Sequence, residues 1–326
     1  MSPRARVTAI VAVAACLAAG TAVGVTLLQT RGEKRGTVGV TKPRKGSPPL
    51  LLDFGLRTDA QAVALRRALQ LYDAGRHAQA EAIFARFPSV DGRIGAAFAT
   101  WPKGSLDRVK EVVAAAPASS TAQLHLGLAY YWAGRTADAL AAWRTAETAQ
   151  PDTPAAVHAS DLLHPSLPVP GLPPFTPSFG PPASVAKLSA PDELAALARA
   201  ARRRDAHAKI LYGVALQRLG HRLSAQRQFA AAARLAPRDP EAQVAAAVGR
   251  FTKEHPEAAF SRLGPLVKTF PHAPTVRFHL GLLLLWLGEV PKARTELRQA
   301  AAEAPSSALG REAKSFLARL ARIGTK

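Results

Sequence analysis

The chain has 326 residues, enough for one large domain or two moderate ones. Hydrophobic residues make up 48% of it and aromatic residues only 6%, a composition that favours closely packed helices. The formal net charge of +20 comes mostly from arginines scattered along helical stretches, which indicates a solvated surface rather than a nucleic-acid interface. Cys16 is the only cysteine, so an internal disulfide and a cysteine-based metal site are excluded.

An uncharged apolar stretch lies near the start of the chain. Residues 7–28 are long enough, as a helix, to cross the ~30 Å hydrocarbon core of a bilayer. We therefore predict that residues 1–28 form a single-pass membrane anchor. Two alternatives stay open: a cleaved signal peptide, and a lipoprotein signal, because Val13-Ala14-Ala15-Cys16 resembles the sequence that precedes the modified cysteine of bacterial lipoproteins.

Basic residues flank this stretch on both sides and give opposing indications of its orientation. Arg4 and Arg6 precede it, as in an export signal, whereas the basic residues that follow favour a cytoplasmic location of the body. We predict a membrane-bound protein with an extracytoplasmic repeat domain. Residues 29–57, rich in Gly, Pro, Lys and Arg, are predicted to be a flexible basic tether.

Prolines recur at a spacing of 34 residues in the rest of the chain. This spacing separates Pro117 from Pro151, and also Pro237, Pro271 and Pro305 from one another. Each proline follows an Ala-rich amphipathic stretch, as expected where a helix ends.

The sequence between these prolines also repeats. A small residue is followed by a turn glycine seven residues later, by a second small residue five further on, and by a large apolar residue after four more. In the three clearest units these residues are Gly127, Gly134, Ala139 and Trp143; Gly213, Gly220, Ala225 and Phe229; and Gly281, Gly288, Ala293 and Leu297. Antiparallel helices approach closely where side chains are small, so the pattern predicts helical hairpins that stack on one another.

These residues resemble the tetratricopeptide repeat, which places Leu-Gly-x-x-Tyr in its first helix, Ala-x-x-x-Phe in its second and Pro at its end. Leu126-Gly127-x-x-Tyr130, Ala139-x-x-x-Trp143 and Pro151 match this pattern. The resemblance implies an all-α fold, a solenoid of tetratricopeptide-type hairpins.

The resemblance divides the chain into two blocks. We expect a first block at residues 58–153 and a second at residues 191–326 that ends in a capping helix, with a Pro-rich linker at 154–190 between them. Two units are expected to be irregular: residues 88–119, where Pro102 separates two short helices, and residues 240–273, where Pro256 lies near the turn.

No catalytic set is recognisable in the sequence. There is no Gly-rich phosphate loop, HExxH or GxSxG motif, and the nine histidines are dispersed. His125 and His279 occupy equivalent positions in the first helix of two units, which favours a packing role over metal binding. We predict a protein that is not an enzyme, with no catalytic, cofactor-binding or metal-binding residues.

In tetratricopeptide proteins the concave groove formed by the first helices receives extended peptides or helices. The register of the repeats assigns the following residues to a partner-binding groove: Leu124, Leu128, Tyr131, Trp132, Ile210, Val214, Gln217, Arg218, Val244, Val248, Phe251, Phe278, Leu282, Leu285 and Trp286. Aromatic residues and arginine dominate binding hot spots, so we predict a protein or peptide partner.

Three alternatives to a partner in the groove stay open. Apolar segments of the chain itself could cover the grooves, namely the linker with Leu167, Val169, Leu172, Phe175 and Phe179, and the segment Leu50–Phe54. Self-assembly could use Gly20 and Gly24. A basic surface with Arg199, Arg202, Arg203 and Arg204 could bind anionic lipid or nucleic acid.

Overall fold

The computed structural model describes residues 42–323. The predicted membrane anchor at 1–28 and residues 29–41 of the predicted tether lie outside the described residues. The later part of the predicted tether is not free, because Leu50, Leu52 and Phe54 are buried. Across residues 42–323, none of the helices combines the length and the apolar character that a membrane span requires. All the regular secondary structure of this part is helical, which confirms the predicted all-α fold.

The chain divides into two compact units, Met1–Ser166 and Leu167–Lys326. Each unit has its own apolar core, made of the facing sides of successive helices.

Unit 1 consists of three helical hairpins and a closing helix. Its helices are α1 (Ala60–Asp73), α2 (His77–Phe84), α3 (Val90–Ala99), α4 (Ser105–Ala115), α5 (Ser120–Trp132), α6 (Thr136–Ala149) and α7 (Pro154–Leu163).

Unit 2 has three hairpins, a longer closing helix and two additional helices at its start. Its helices are α8 (Ala183–Ala186), α9 (Ala190–Ala200), α10 (Ala206–Arg218), α11 (Arg222–Leu235), α12 (Pro240–Val248), α13 (Glu257–Thr269), α14 (Pro274–Trp286), α15 (Val290–Glu303) and α16 (Ala308–Ile323). The capping helix is found as expected. The unit at 240–273 is irregular as expected, since α12 is shorter than α10 and α14.

Side-chain caps begin most of the first helices of the hairpins. The side chains of Asp59, Ser89, Ser119, Asp205 and Asp239 each accept a hydrogen bond from a main-chain N–H in the first turn of the helix that follows. Such caps satisfy an N–H group that has no partner within the helix. They fix where each hairpin begins.

The small and large residues of the repeat pattern meet as predicted. A Cβ atom on Gly127 would lie 2.2 Å from Nε1 of Trp143, and one on Gly213 would lie 2.5 Å from Cε1 of Phe229. The large side chain of the second helix therefore occupies the space that glycine leaves in the first. The turn glycines adopt positive φ angles, 78° at Gly134 among them, which side chains other than glycine rarely adopt.

The structure differs from the predicted linker at its start. Residues 154–163 form helix α7, which packs on α5 and α6 and closes unit 1 as α16 closes unit 2. Thr153 caps α7, and Pro154 lies in its first turn, where a missing N–H removes no helical hydrogen bond. The prolines that prevent a helix begin only at Pro165, so the non-helical chain between α7 and α8 spans residues 164–182.

Candidate functional site

Both units bind a non-helical segment of the chain against the first helices of their hairpins. We call these helix surfaces groove 1, formed by α1, α3 and α5, and groove 2, formed by α10, α12 and α14. Groove segment 1 is residues 46–55, and groove segment 2 is residues 171–180.

In groove 2, α10 binds the main chain of groove segment 2 through one side chain. Gln217 accepts a hydrogen bond from the N–H of Phe175 on Oε1 (2.8 Å) and donates one from Nε2 to the carbonyl of Pro173 (3.0 Å). An amide side chain offers one acceptor and two donors, so Gln217 pairs with main-chain groups of both kinds.

The other two first helices of unit 2 bind the next main-chain N–H groups. The N–H of Thr176 donates to Nε2 of His279 on α14 (2.9 Å). The N–H of Ser178 donates to Oε2 of Glu241 on α12 (3.3 Å), and burial raises the pKa of this carboxyl. Side chains from three successive first helices thus hold one stretch of extended main chain.

Two further bonds hold the start of this segment and the chain just before it. The indole N–H of Trp286 donates to the carbonyl of Gly171 (3.2 Å), and Nζ of Lys253 donates to the carbonyl of Val169 (3.0 Å). Lys253 is buried, so this bond and the partners around it compensate for part of the cost of burying the ammonium group.

The phenyl ring of Phe175 is the apolar anchor of groove segment 2. Only 2% of Phe175 is exposed, and its ring stacks on the imidazole of His279, with the ring centroids 4.6 Å apart. The ring of Phe229 contacts it edge to face, at a centroid distance of 5.7 Å. Burying a side chain of this size contributes about 2 kcal/mol of apolar stabilisation.

His279 is fully buried and neutral. Its Nδ1 lies 2.7 Å from the carbonyl of Thr275, so Nδ1 carries the proton and Nε2 is left as an acceptor for the N–H of Thr176. Burial lowers the pKa of His279 to about 4, and the bond to Thr275 opposes this effect in part.

Groove 1 uses an equivalent histidine. The N–H of Leu51 donates to Nε2 of His125 on α5 (3.1 Å), and Nδ1 of His125 lies 2.7 Å from the carbonyl of Thr121. Burial again lowers the histidine pKa to about 4. The hydroxyl of Tyr72 on α1 donates to the carbonyl of Pro48. The apolar side chains of this segment that are buried are Leu50, Leu52 and Phe54.

Arg44 holds the chain just before groove segment 1. Its N–H donates to the carbonyl of Trp132 (2.8 Å), and its guanidinium group lies 4.1 Å from the centroid of the Tyr131 ring and donates to the hydroxyl of that residue. A cation over an aromatic face at this distance is an attractive contact.

Four of the predicted groove residues contact the covering chain: Gln217 and Trp286 bind groove segment 2, and Tyr131 and Trp132 contact Arg44. Phe278 packs on Phe316 of the closing helix α16. The predicted groove residues that are buried are Leu124, Leu128, Tyr131, Ile210, Val214, Val244, Val248, Phe251, Phe278, Leu282, Leu285 and Trp286. Trp132 and Gln217 are half-buried, and Arg218 is exposed. The alternative that apolar segments cover the grooves therefore describes the structure, and it applies to both of the segments that the sequence indicated.

The repeat register did not assign the two histidines and Glu241 to the groove. The sequence held a signal for the histidines, because residues 125–132 (HLGLAYYW) and 279–286 (HLGLLLLW) share His, Leu, Gly, Leu and Trp at the same positions. A polar residue kept in an otherwise apolar helix indicates a specific hydrogen bond.

The predicted basic surface lies at the end of α9. Arg199 belongs to α9, and Arg202, Arg203 and Arg204 follow its end, all of them exposed. Within residues 42–323, no group of histidines and carboxylates is close enough to hold a metal ion.

Comparison with known proteins identifies the repeats. Residues 103–154 and 245–308 match the family model described as tetratricopeptide repeat. One matching part lies in each unit. Comparison with curated proteins gives no match.

Several solved structures are similar in arrangement. Yeast Tom70 is 14% identical, with 81% of this chain and 54% of that chain covered and a TM-score of 0.32. A tetratricopeptide repeat protein from Parabacteroides merdae ATCC 43184 is 13% identical, with coverages of 79% and 97% and a TM-score of 0.34. The TPR2AB domain of yeast Sti1, in a complex with pHSP90, is 12% identical, with coverages of 79% and 97% and a TM-score of 0.29. The chain spans about half the length of the Tom70 structure. At these TM-scores the likenesses carry no functional argument.

Proposed function

We propose that this protein is a non-enzymatic scaffold, tethered to a membrane by residues 7–28, that binds a protein partner through an extended peptide in the groove of its tetratricopeptide repeats. Proteins with such repeats generally bind other proteins. The observation that carries the proposal is the binding of one extended main chain by Gln217, Glu241 and His279, from three successive helices. Hydrogen bonds to main-chain groups hold an extended peptide, while pockets for alternate side chains select it.

The partner has to displace the resident segment. Residues 164–182 contain no helix, so groove segment 2 can leave groove 2 without any helix unfolding. The apparent affinity of groove 2 for a partner is then reduced by the fraction of molecules in which the groove is open. A variant that weakens the resident segment is expected to bind the partner more tightly.

A crosslinked pull-down from native membranes tests this function with three forms of the full chain. We expect Phe175→Ala, which weakens the resident segment, to enrich a specific protein several-fold over the wild type. The double variant Phe175→Ala/His279→Ala lacks the acceptor in groove 2, and we expect it to recover no more of that protein than the wild type does. The matched control is Leu188→Ala, at an exposed residue of the same part of the chain. Equal recovery of the same proteins by all forms would contradict binding in groove 2.

The extracytoplasmic location of the repeats is part of the proposal. It is supported by the short basic start that precedes the apolar residues 7–28, as in an export signal. Val63→Cys places a thiol at an exposed position of α1. We expect a membrane-impermeant maleimide to label this variant, and not the wild type, in intact cells. Labelling only after lysis would locate the repeats in the cytoplasm.

A second candidate function is a structural module whose grooves stay permanently filled. It is supported by the near-complete burial of Phe175 and of Leu50. Hydrogen exchange at the N–H of Thr176 separates the two functions. Exchange much faster than global unfolding indicates that the segment opens, whereas exchange only through global unfolding favours the structural module.

A further inference from the structure

The two groove segments share a sequence pattern. Residues 46–55 read GSPPLLLDFG and residues 171–180 read GLPPFTPSFG, with Gly, Pro, Pro, Phe and Gly at the same positions. The residue after the two prolines is apolar in both, Leu50 and Phe175. Both segments therefore fit Gly-x-Pro-Pro-Φ-x-x-x-Phe-Gly, where Φ is an apolar residue.

The first proline of the motif makes the same contact in both grooves. The carbonyl of Pro48 accepts a hydrogen bond from the hydroxyl of Tyr72, and the carbonyl of Pro173 accepts one from Nε2 of Gln217. Tyr72 and Gln217 both lie near the end of the first helix of the first hairpin of their unit, α1 and α10.

The residue Φ and the N–H after it also make the same contacts. Leu50 and Phe175 are 5% and 2% exposed. The next N–H, that of Leu51 or of Thr176, donates to Nε2 of the equivalent histidine. An apolar anchor and a single oriented N–H acceptor therefore define the centre of each groove.

The first glycine of the motif has the same conformation in both segments, while the Phe near the end is held by different neighbours. Gly46 and Gly171 adopt φ angles of 78° and 70°, in the left-handed region that favours glycine. The Phe near the end of the motif is buried in one segment, as Phe54, and in the other, as Phe179, its ring lies 4.3 Å from the ring of His207.

The shared residues suit an extended ligand in an apolar groove. Prolines carry no N–H, so burying them leaves no donor unpaired. They also restrict the free peptide to extended conformations, which lowers the entropy lost on binding. The three residues that follow Φ differ between the segments, LLD against TPS, so the common contacts do not depend on them.

We propose that both grooves are binding sites for the motif Gly-x-Pro-Pro-Φ-x-x-x-Phe-Gly, and that the partner of the scaffold presents its own copy of this motif in an extended segment. The inference rests on the proposed function and gives the groove a defined class of peptide. It also requires each groove to accept the sequence of the other unit's segment.

Fluorescence polarisation with labelled peptides tests this inference on the full chain. The probes are a peptide of residues 171–180, a peptide of residues 46–55, and a control peptide of residues 171–180 in which both prolines and both phenylalanines are alanine. With Phe175→Ala as the receptor, we expect both motif peptides to bind at least tenfold more tightly than the control peptide, and at least tenfold more tightly than they bind the wild type. Adding His279→Ala should weaken both by about tenfold, the effect of one lost hydrogen bond to a buried acceptor.

A second receptor variant controls for misfolding of Phe175→Ala. Thr176→Pro removes the N–H that His279 accepts and creates no cavity, so it loosens groove segment 2 by a different route. Circular dichroism should show both receptor variants to be as helical as the wild type. The same ranking of the three peptides on both receptors would support the inference.

Four outcomes overturn the inference. Binding of the 171–180 peptide alone refutes the shared motif and leaves the proposed function intact, as does equal binding of the control peptide. No binding of either motif peptide to a folded receptor also refutes the motif, and the pull-down then decides separately whether the proposed function fails. Concentration-dependent dimers of wild type and Phe175→Ala, seen by light scattering without peptide binding, would show that segments exchange between copies instead.

Discussion

The N–H of Thr176 and Nε2 of His279 form a 2.9 Å hydrogen bond that requires the neutral form of the imidazole. Because Nδ1 is bound to the carbonyl of Thr275, a second proton can enter only at Nε2, where it would face an N–H donor. Leu51 and His125 form the same arrangement in unit 1. Each covered groove therefore depends on the protonation state of its own histidine ring.

Acid should destabilise both units through these histidines. The folded-state pKa of each is about 4, below the ordinary value of 6.5, so the unfolded chain takes up the proton first as the pH falls. The stabilisation is complete above pH 6.5 and is lost as the pH falls towards 4, at a cost on the order of 3 kcal/mol for each histidine. Denaturant unfolding at pH 7 and pH 4.5 measures this loss, and the difference between wild type and His279→Gln isolates one ring. An NMR titration in which the ring of His125 or His279 titrates near pH 6.5 would contradict the prediction.

Truncating the anchor of groove segment 2 should loosen this segment first. Phe175→Ala removes a buried ring that contacts His279 and Phe229, and substitutions of this kind cost about 3 kcal/mol. We expect a lower midpoint of thermal unfolding and faster hydrogen exchange at the N–H of Thr176. Leu188→Ala should change neither quantity appreciably, because Leu188 is exposed. An unchanged exchange rate in Phe175→Ala would show that the main-chain bonds alone hold the segment.

Two glycine substitutions should differ clearly in their effect on stability. Gly213→Ala places a Cβ 2.5 Å from Cε1 of Phe229, so the hairpin of α10 and α11 must move apart, at a cost of about 1–3 kcal/mol. Gly264→Ala in α13 meets nothing within 4 Å outside its chain neighbours and should change stability by less than about 1 kcal/mol, because the helix preference of alanine is opposed by its Cβ beside the ring of Pro265. Urea unfolding of both variants gives the comparison. Equal changes would mean that the close approach at Gly213 relaxes freely.

Removing the polar group of Gln217 should open the start of groove segment 2. Gln217→Leu keeps an apolar side chain of similar size but leaves the N–H of Phe175 and the carbonyl of Pro173 without this partner. We expect a loss of about 1–3 kcal/mol and at least tenfold faster hydrogen exchange at Phe175. Gln70→Leu, at an exposed residue of α1, is the matched control and should leave both quantities unchanged.

The repeats could be predicted because their physics is local to each hairpin. The spacing of Gly127, Gly134, Ala139 and Trp143 specifies a close helix crossing and the turn beside it, and the structure has both. Residues 154–163 were less predictable, since one proline at a helix start and several prolines beyond the helix give similar compositional signals.

The segments that occupy the grooves could be predicted only in part from the sequence. The apolar residues of both covering segments were recognisable, but apolarity alone does not distinguish a covering segment from a surface for a partner. The distinction depends on main-chain hydrogen bonds such as those of Gln217 and His279, and their pairing requires contacts between residues 42 and 103 positions apart. Sequence patterns report such distant pairs only when the pattern is duplicated, as it is here.

The position of each groove segment ahead of its helices sets the boundaries of usable fragments. A fragment that begins at Ala60 or at Ala190 would contain every hairpin of its unit and yet lack the residues that cover the groove. It would expose the apolar side chains around His125 or His279 to water and is expected to aggregate. Fragments for expression should therefore begin before Arg44 in unit 1 and before Leu167 in unit 2, so that each unit keeps its own cover.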